Sequence, residues 1–477
     1  MDGANTRQCR PLPDGQGRNA CATINLVVPL PNQGTDRRTT ETAGTYQDRP
    51  GAARSLIGTA FGESSVNSTN FRSTRATSPT RGSSTLAMAT RTTTTRTTSF
   101  APAPSADRSE TTEPELNFPK LVQAYFDCRR AKRNSHSALA FECHLERNLT
   151  ELHDDLVGMR YRHGRSICFV VTHPKPREVW AAEFRDRVVH HALYNRIAQR
   201  FHAAFIADSC ACIPGRGTLY AANRLEAKVR AITRNWTRPA HYLKCDIANF
   251  FVSIDKVVLR GLLERRIADP WWLWLADAVL MHDPRRDVQI QSTEALMALV
   301  PPHKRLLNQS PERGLPIGNL SSQFFANVLL DVLDQHVKHQ IGAKHYVRYV
   351  DDMILLHESP QWLNGALADM TEFLPRELGL ELNPRKTVLQ PLARGVDFVG
   401  HVIKPYRRTM RRKTFNAALR SVATIPAGGV FETVNSYFGL MRQDKNSHHD
   451  RARMAAVALE RGHAVDSKFT KAYRKKC

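Results

Sequence analysis

Two adjacent carboxylates, Asp351 and Asp352, constrain this chain more than any other feature of its sequence. Short apolar runs flank the pair, and two β-prone runs joined by two turn residues predict a hairpin with both carboxylates at its tip. Negative charges this close raise a pKa and cost stability, so a divalent metal is the usual partner of such a pair. An isolated Asp-Asp pair is more often a polar turn, and the metal hypothesis needs a third carboxylate at the end of another strand. Asp246 provides it, directly after a short apolar run.

Charge and composition narrow the class of partner. The 477 residues carry a net charge of +23, and residues 1–115 hold thirteen Lys and Arg against ten Asp and Glu, so about +20 falls on the rest of the chain. A folded part this basic predicts a polyanionic partner, nucleic acid ahead of a membrane surface. Nine scattered cysteines without a Cys-x-x-Cys pair predict free thiols in a reducing compartment. No apolar run reaches the roughly 18 residues of a membrane span, so we expect a soluble protein.

The first quarter of the chain differs in composition from the rest. Residues 1–112 are rich in Ser, Thr, Arg, Gly and Pro and lack hydrophobic periodicity, which predicts a disordered low-complexity tail. An organelle transit peptide is the alternative, but acidic residues such as Asp14 and Asp36 count against it. Apolar residues at helical spacing then predict an N-terminal helical extension over residues 113–165.

Two cations follow the predicted strand at residues 167–171. Lys175 and Arg177 lie on either side of Pro176, which stiffens the turn and limits how far the charged groups can move. Cations held in this way suit a triphosphate, because arginine offers a planar fork and lysine a point charge. Ordinary surface charge is the alternative interpretation.

A glycine-containing turn precedes a long predicted helix. Gly314 and Gly318 lie on either side of Pro316, and a wide apolar stripe follows them at helical spacing. Two glycines allow the backbone to approach something flat or phosphorylated closely.

A carboxylate at the end of a buried strand, beside a hairpin with two more, can hold two divalent cations for an in-line phosphoryl transfer.

This order of motifs resembles the palm of reverse transcriptases. Asp246 stands where that family has its first metal-binding aspartate, and Tyr-Val-Asp-Asp at 349–352 matches its catalytic hairpin. Leu-Asn-Pro-Arg-Lys at 382–386 looks like the motif whose lysine assists the departing pyrophosphate. The resemblance implies Mg²⁺ as cofactor, with Mn²⁺ as the other candidate. It implies the catalytic residues Asp246, Asp351, Asp352 and Lys386, and the metal site Asp246, Ile247, Asp351 and Asp352.

The same resemblance implies a nucleotide site. Lys175 and Arg177 fall where the fingers of the family hold the triphosphate. Phe251 matches the bulky residue that excludes a ribose 2′-hydroxyl, although on composition alone it is more often a core residue. Gly318 matches the template- and nucleotide-facing turn, and Ile317 stands where accurate relatives carry a glutamine.

Within the family, residues 315–327, which read Leu-Pro-Ile-Gly-Asn-Leu-Ser-Ser-Gln-Phe-Phe-Ala-Asn, are most similar to reverse transcriptases of diversity-generating retroelements. These group II intron-like enzymes of bacteria and phages copy a template RNA into cDNA with frequent errors opposite adenine, aided by a small basic accessory protein. The resemblance thus implies an error-prone RNA-directed DNA polymerase of the mutagenic retrohoming type. Its partners would be template RNA, cDNA primer and product, deoxynucleoside triphosphates and such an accessory protein, with no membrane.

The expected location is the cytoplasm of a bacterium or archaeon, or of a phage-infected cell. A bacterial defence reverse transcriptase and a template-independent DNA polymerase stay open as alternatives. A catalytically silent RNA-binding relative is a further one, but it has no chemical need for the three aspartates and Lys386 together. The fold class that follows is α+β: a right-hand polymerase with fingers and an antiparallel palm over 166–402 and a small, basic helical thumb over 403–477.

Overall fold

The computed structural model describes residues 116–130, 135–172 and 175–474. The predicted tail at residues 1–112 lies outside these ranges. None of the helices in the described part of the chain is long and apolar enough to cross a membrane.

The first described segment is helical apart from one hairpin. Its elements are α1 (Phe118–Arg129), α2 (His136–Glu142), α3 (Leu145–Val157), β1 (Ser166–Val171), β2 (Arg177–Ala181), α4 (Phe184–Ala204) and α5 (Thr218–Ile232). Helix α1 begins where the Asn117 side chain accepts a hydrogen bond from the Lys120 amide. Helix α4 extends to Ala204, and Phe201 in its last turn continues its buried face.

The central segment contains most of the strands. Its elements are β3 (His241–Cys245), α6 (Phe250–Ser253), α7 (Lys256–Glu264), α8 (Pro270–Leu280), β4 (Val288–Ile290), α9 (Glu294–Ala298), α10 (Leu320–His339), β5 (His345–Tyr349), β6 (Asp352–His357), α11 (Pro360–Leu378) and β7 (Val388–Pro391). The sequence predicts a helix over 254–266, whereas α7 is shorter. It begins later because the Asp255 side chain accepts hydrogen bonds from the amides of Val257 and Val258 and so caps it.

The palm sheet is four-stranded, in the order β5-β6-β3-β7, and every pairing in it is antiparallel. The two central strands contribute buried apolar residues to the core, among them Leu243 and Cys245 of β3 and Met353 to Leu356 of β6. Helices α10 and α11 contribute to the same large hydrophobic core as this sheet, for example through Phe325 and Met370, which lie with Leu243 of β3. The sheet is therefore held from behind, and the strand ends that carry the aspartates lie at one edge.

A second sheet lies in the fingers, with strand order β2-β1-β4. Strands β1 and β2 form an antiparallel hairpin, and β4 joins β1 in parallel, with Ser166 opposite Val288. The region 267–312, which shows little pattern in sequence, thus supplies one strand to the fingers. That strand is only three residues long and pairs with a partner more than a hundred positions away.

The final segment consists of a small sheet and a helical cluster. Its elements are β8 (Val396–Phe398), β9 (His401–Lys404), β10 (Arg407–Met410), α12 (Arg412–Thr424), α13 (Ala427–Met441), α14 (His448–Glu460), β11 (His463–Val465) and β12 (Ala472–Arg474). Helices α12 to α14 with the β11–β12 hairpin form the thumb. Its buried residues, among them Phe415, Phe438 and Met454, make a core of their own. The predicted helical thumb therefore ends in a short hairpin that the sequence pattern does not predict.

Candidate active site

The three predicted carboxylates meet at one end of the palm sheet. Asp246 directly follows β3, and Asp352 is the first residue of β6, whose next residue, Met353, lies opposite Cys245. The sequence predicts both hairpin carboxylates at the tip. The structure places Val350 and Asp351 in the turn, while Asp352 is already paired with Tyr349.

Besides burial, the negative charges of neighbouring carboxylates raise the pKa values of Asp351 and Asp352. Burial, together with the negative charges of Asp246 and Asp352, raises the pKa of Asp351 to about 6. Burial also raises the pKa of Asp352, while the nearby Lys244 ammonium opposes the shift. Repulsion of this kind disfavours the ionised form, and an added cation would relieve it.

Lys386 holds the carboxylate of Asp246. Its Nζ lies 2.6 Å from Oδ1 and 2.7 Å from Oδ2 of Asp246. The lysine is placed by a short 3₁₀ turn at Pro384–Lys386, and the amide of Asn383 donates to the Asp246 carbonyl at 2.7 Å. Two groups 140 residues apart in sequence are thus brought into contact.

The donor chemistry of this edge fits a hard divalent cation, because Mg²⁺ prefers carboxylate and carbonyl oxygens. Within the described ranges, no three His, Cys, Asp or Glu side chains are assembled closely enough to hold a metal ion. Both Asp246 oxygens accept hydrogen bonds from Lys386, whose positive charge lies where a cation would contact Asp246. Ile247, which has no donor atom in its side chain, is buried and forms an isolated bridge with Leu382.

The glycine-containing turn lies against the fingers. The Trp180 amide of β2 donates to the Ile317 carbonyl at 2.7 Å, and the Ala182 amide donates to Asn319 Oδ1 at 3.2 Å. Gly318 has φ 131°, and a Cβ there would lie 2.8 Å from the Trp180 carbonyl oxygen. Only glycine permits this close approach, and Ile317 beside it is half-buried.

Phe251 lies between the aspartate strand and that turn. Asn249, in a left-handed conformation with φ 49°, ends the connection from β3 and starts α6. The half-buried Phe251 ring packs edge-on against Phe250, with centroids 5.2 Å apart, and its carbonyl accepts from the Leu315 amide at 2.8 Å. The backbone of Phe251 is therefore fixed to the turn that contains Ile317.

Lys175 and Arg177 lie in and beside the β1–β2 connection, where both are exposed. Arg177 is opposite Val171 in the hairpin, and residues 173 and 174 lie outside the described ranges. The structure thus brings the three aspartates and Lys386 together, and Phe251 next to the Ile317–Gly318 turn. It places the two predicted triphosphate cations on the fingers hairpin. The individual roles of all these residues stay predictions.

Two basic residues near the aspartates are missing from the sequence prediction. Lys244 Nζ lies 3.5 Å from Asp352 Oδ1 and donates to the Asp397 carbonyl at 3.0 Å. Arg348 is wholly buried on β5, directly before the catalytic hairpin turn. The available signal is the same for both: a lone basic residue inside a short apolar strand, which is costly unless it has a specific partner.

Residues 173–403 match the family model described as "Reverse transcriptase (RNA-dependent DNA polymerase)". The matched region is just under half of the chain. The match indicates RNA-directed DNA polymerase, a nucleotidyltransferase, as the enzyme class. The predicted α+β right-hand polymerase fold is confirmed.

Among solved structures, the chain is similar to telomerase from Candida albicans in complex with a TWJ fragment of telomeric RNA, with 12% identity and a TM-score of 0.38 over 63% of this chain and 55% of that one. It is also similar to apo telomerase from Candida tropicalis truncated from the C-terminal domain, with 11% identity and a TM-score of 0.38 over 54% of this chain and 58% of that one. The match thus spans little more than half the length of either telomerase chain. A comparison with curated protein sequences gives no match.

Proposed function

We propose that this protein is an RNA-directed DNA polymerase that copies an RNA template into cDNA. The observation that carries the proposal is the placement of Asp246, Asp351 and Asp352 at one end of the palm sheet, where their charges interact and Lys386 contacts Asp246, within the region that matches the reverse transcriptase family model. In the reaction, the primer 3′-oxygen attacks the α-phosphorus of a deoxynucleoside triphosphate. The bond from that phosphorus to the bridging oxygen breaks, and pyrophosphate leaves.

The side chains divide the work between them. The three aspartates and the main-chain carbonyl of Ile247 would hold Mg²⁺, with Mn²⁺ as the alternative ion. When bound, the metal neutralises charge on the phosphates and favours ionisation of the 3′-hydroxyl. Once Lys386 is released from Asp246, its ammonium can give a proton to the leaving pyrophosphate.

The nucleotide would lie between the fingers hairpin and the glycine-containing turn. Lys175 and Arg177 would contact its triphosphate, since both are exposed cations on one hairpin. Phe251 would exclude a 2′-hydroxyl, because its ring is only half-buried and its backbone is fixed to the turn at Leu315. Gly318 would allow the template and the new base pair to approach the backbone closely.

Low fidelity is the second part of the proposal. The resemblance to the diversity-generating group rests on residues 315–327, and Ile317 offers only apolar contact where a glutamine could hydrogen-bond around the nascent pair. Correct and mismatched pairs then differ less in transition-state energy. A template RNA and a small basic accessory protein would be the partners of that activity.

Primer extension with the purified full chain tests the activity. The reactions contain Mg²⁺, labelled primer and either an RNA template, a DNA template of the same sequence or no template. We expect template-directed extension on RNA, its loss in Asp351→Asn, and RNA binding equal to wild type in that variant. Asp287→Asn is the matched control, because Asp287 is exposed and pairs with Arg165 away from the palm edge. Extension without template, or normal extension by Asp351→Asn, contradicts the proposal.

A further inference from the structure

The guanidinium of Arg348 is buried directly beneath the catalytic hairpin. Its side chain is 1% exposed, and it projects from β5, between the buried Val347 and the hairpin residue Tyr349. Moving the charge of an arginine out of water costs roughly several kcal/mol, unless the charge and the N–H groups have partners inside the protein. The acceptor of each N–H group therefore determines whether this buried side chain is stabilised.

Every N–H of this guanidinium has an acceptor. Nε and Nη2 donate to the two carboxylate oxygens of Asp334 at 2.8 and 2.6 Å, and Nη2 also donates to Ser209 Oγ at 2.9 Å. Nη1 donates to Asn327 Oδ1 at 3.2 Å and to the Val350 carbonyl at 3.0 Å. An arginine side chain has only these donors, about five in number, so its capacity is used in full.

One of these acceptors belongs to the catalytic turn. Val350 has φ 55°, a backbone conformation that β-branched residues rarely adopt and that costs about 1–3 kcal/mol. Its carbonyl is part of the peptide that leads into Asp351. The hydrogen bond from Arg348 therefore fixes the orientation of a strained peptide next to a catalytic carboxylate.

The other acceptors are rigid. Asp334 and Asn327 lie on α10, the helix that continues from the glycine-containing turn, and both are buried. Asn327 is itself held by a bond from its Nδ2 to the Ala211 carbonyl at 2.8 Å, and the hydroxyl of Tyr346 donates to Asp334 at 2.8 Å. Arg348 thus links the helix behind the nucleotide-facing turn to the turn that carries Asp351.

We propose that Arg348 is a positioning residue, which uses α10 as a fixed support to hold the Val350–Asp351 peptide so that the Asp351 carboxylate faces Asp246. The inference rests on the proposed polymerase activity and concerns how its catalytic turn is held. A lysine cannot replace this residue, because its ammonium has three donors on one atom and cannot reach acceptors on opposite sides.

The test separates positioning from stability. Removing Arg348 alone leaves Asp334 buried and unpaired, so the double variant Arg348→Met/Asp334→Leu is used, since replacing a buried pair by apolar residues is often neutral for folding. We expect its melting temperature and RNA affinity to stay close to wild type. We expect kcat to fall about 100-fold, as small misplacements of reacting groups do, with KM for the nucleotide within about twofold.

Tyr346→Phe is the matched control. It removes another hydrogen bond to Asp334 from the same buried network but leaves the bond from Arg348 to Val350. We expect its kcat to stay within about threefold of wild type, given a net loss of about 1 kcal/mol or less. Arg348→Lys is the second variant, and it keeps the charge. We expect its kcat to fall as in the double variant, also without a change in KM.

The outcomes are distinct. A wild-type protein without template-directed activity contradicts the proposed function and is seen before any variant is compared. With an active wild type, unchanged kcat in Arg348→Lys or in a folded double variant overturns the positioning role. An equal loss of kcat in Tyr346→Phe overturns it as well, because the network as a whole would then be responsible.

Discussion

The two sides of the β5–β6 hairpin differ in how their charged groups are paired. On the open side, Asp351 and Asp352 have raised pKa values, and Lys386, which pairs with Asp246, is 48% exposed. On the closed side, Arg348 and Asp334 are almost wholly buried, and the arginine uses every donor it has. The hydrogen bonds on the closed side therefore fix the position of the hairpin. The aspartates on the open side repel one another, and a bound cation would reduce this repulsion. The hydrogen bonds on the closed side can hold the hairpin in place despite the repulsion between carboxylates on the open side.

The largest expected effect comes from the closed side. Asp334→Ala leaves Arg348 charged, buried and without its main partner, so we expect the free energy of unfolding to fall by about 3–5 kcal/mol. Lys386→Met on the open side should cost less than about 1 kcal/mol, because that pair is partly exposed. Urea titration of the two variants measures both. Equal losses would remove the contrast between the sides.

A second buried region, behind the glycine-containing turn, contains titratable groups that make the stability of the protein depend on pH. Burial lowers the pKa of His163 and of His282 to about 4, and their rings stack at 4.1 Å. Their unfolded value is about 6.5, so unfolding takes up protons, and this contribution to stability is complete above pH 6.5 and lost as the pH falls toward 4. Burial raises the pKa of the nearby Asp186, so the contribution of this carboxyl to stability has the opposite sign and increases as the pH falls through the range in which it titrates.

We expect the free energy of unfolding to drop by about 4 kcal/mol between pH 7.5 and pH 5 through these two histidines. The variant His163→Phe/His282→Phe should flatten the profile, since stacked aromatic rings can fill the same space without titrating. His339→Phe, at an exposed position, is the control and should leave it unchanged. A wild-type profile that is already flat in this window contradicts the prediction.

On the open side, removing charge should stabilise the metal-free protein. The pKa of Asp351 is about 6 when folded, against an ordinary 3.8, so the folded state disfavours the ionised carboxylate at neutral pH. Asp351→Asn should therefore raise the free energy of unfolding by about 3 kcal/mol at pH 7.5 in EDTA. The gain should shrink as the pH falls from 6 toward 3.8, because the folded-state carboxyl becomes protonated over this range and no longer differs in charge from asparagine. A destabilised variant at pH 7.5 would show that the carboxylates are already compensated.

The smallest effect concerns Ile317, whose main chain is bonded to the fingers and whose side chain is half-buried. Ile317→Gln should lower misincorporation about tenfold, equivalent to about 1.4 kcal/mol of added discrimination, most visibly opposite adenine. Sequencing cDNA made by both forms on one RNA template measures it. Identical error spectra would place the control of fidelity elsewhere.

Local pattern was sufficient for the strands and turns that place the aspartates. The strand before Asp246 and the hairpin around Asp351 are short apolar runs bounded by turn residues, and such runs can be predicted from neighbouring residues. The left-handed conformation of Val350 could not be, because propensity argues against it. Its support comes from Arg348 and, through it, from α10.

Long-range pairings account for the rest. The contact of Lys386 with Asp246 and the parallel pairing of β4 with β1 each join residues more than a hundred positions apart. A basic residue in an apolar strand, such as Lys244, is destabilising unless it contacts a suitable partner, and that partner is distant in sequence. The division of the chain into domains and the roles of the site residues stay predictions.

The separate core of the thumb has a consequence for how the molecule opens. Because Phe415, Phe438 and Met454 pack with one another and not with the palm core, the thumb can lose its structure as one cooperative unit while the palm stays folded. Its buried link to the small sheet runs through Asp444, which pairs with Arg408 and His401. In hydrogen exchange, the amides of α12 to α14 should therefore lose their protection together, at a lower free energy than those of β3 and β6. Under the proposed function, the thumb could therefore open and release a nucleic-acid duplex while the palm sheet that carries the aspartates stays folded.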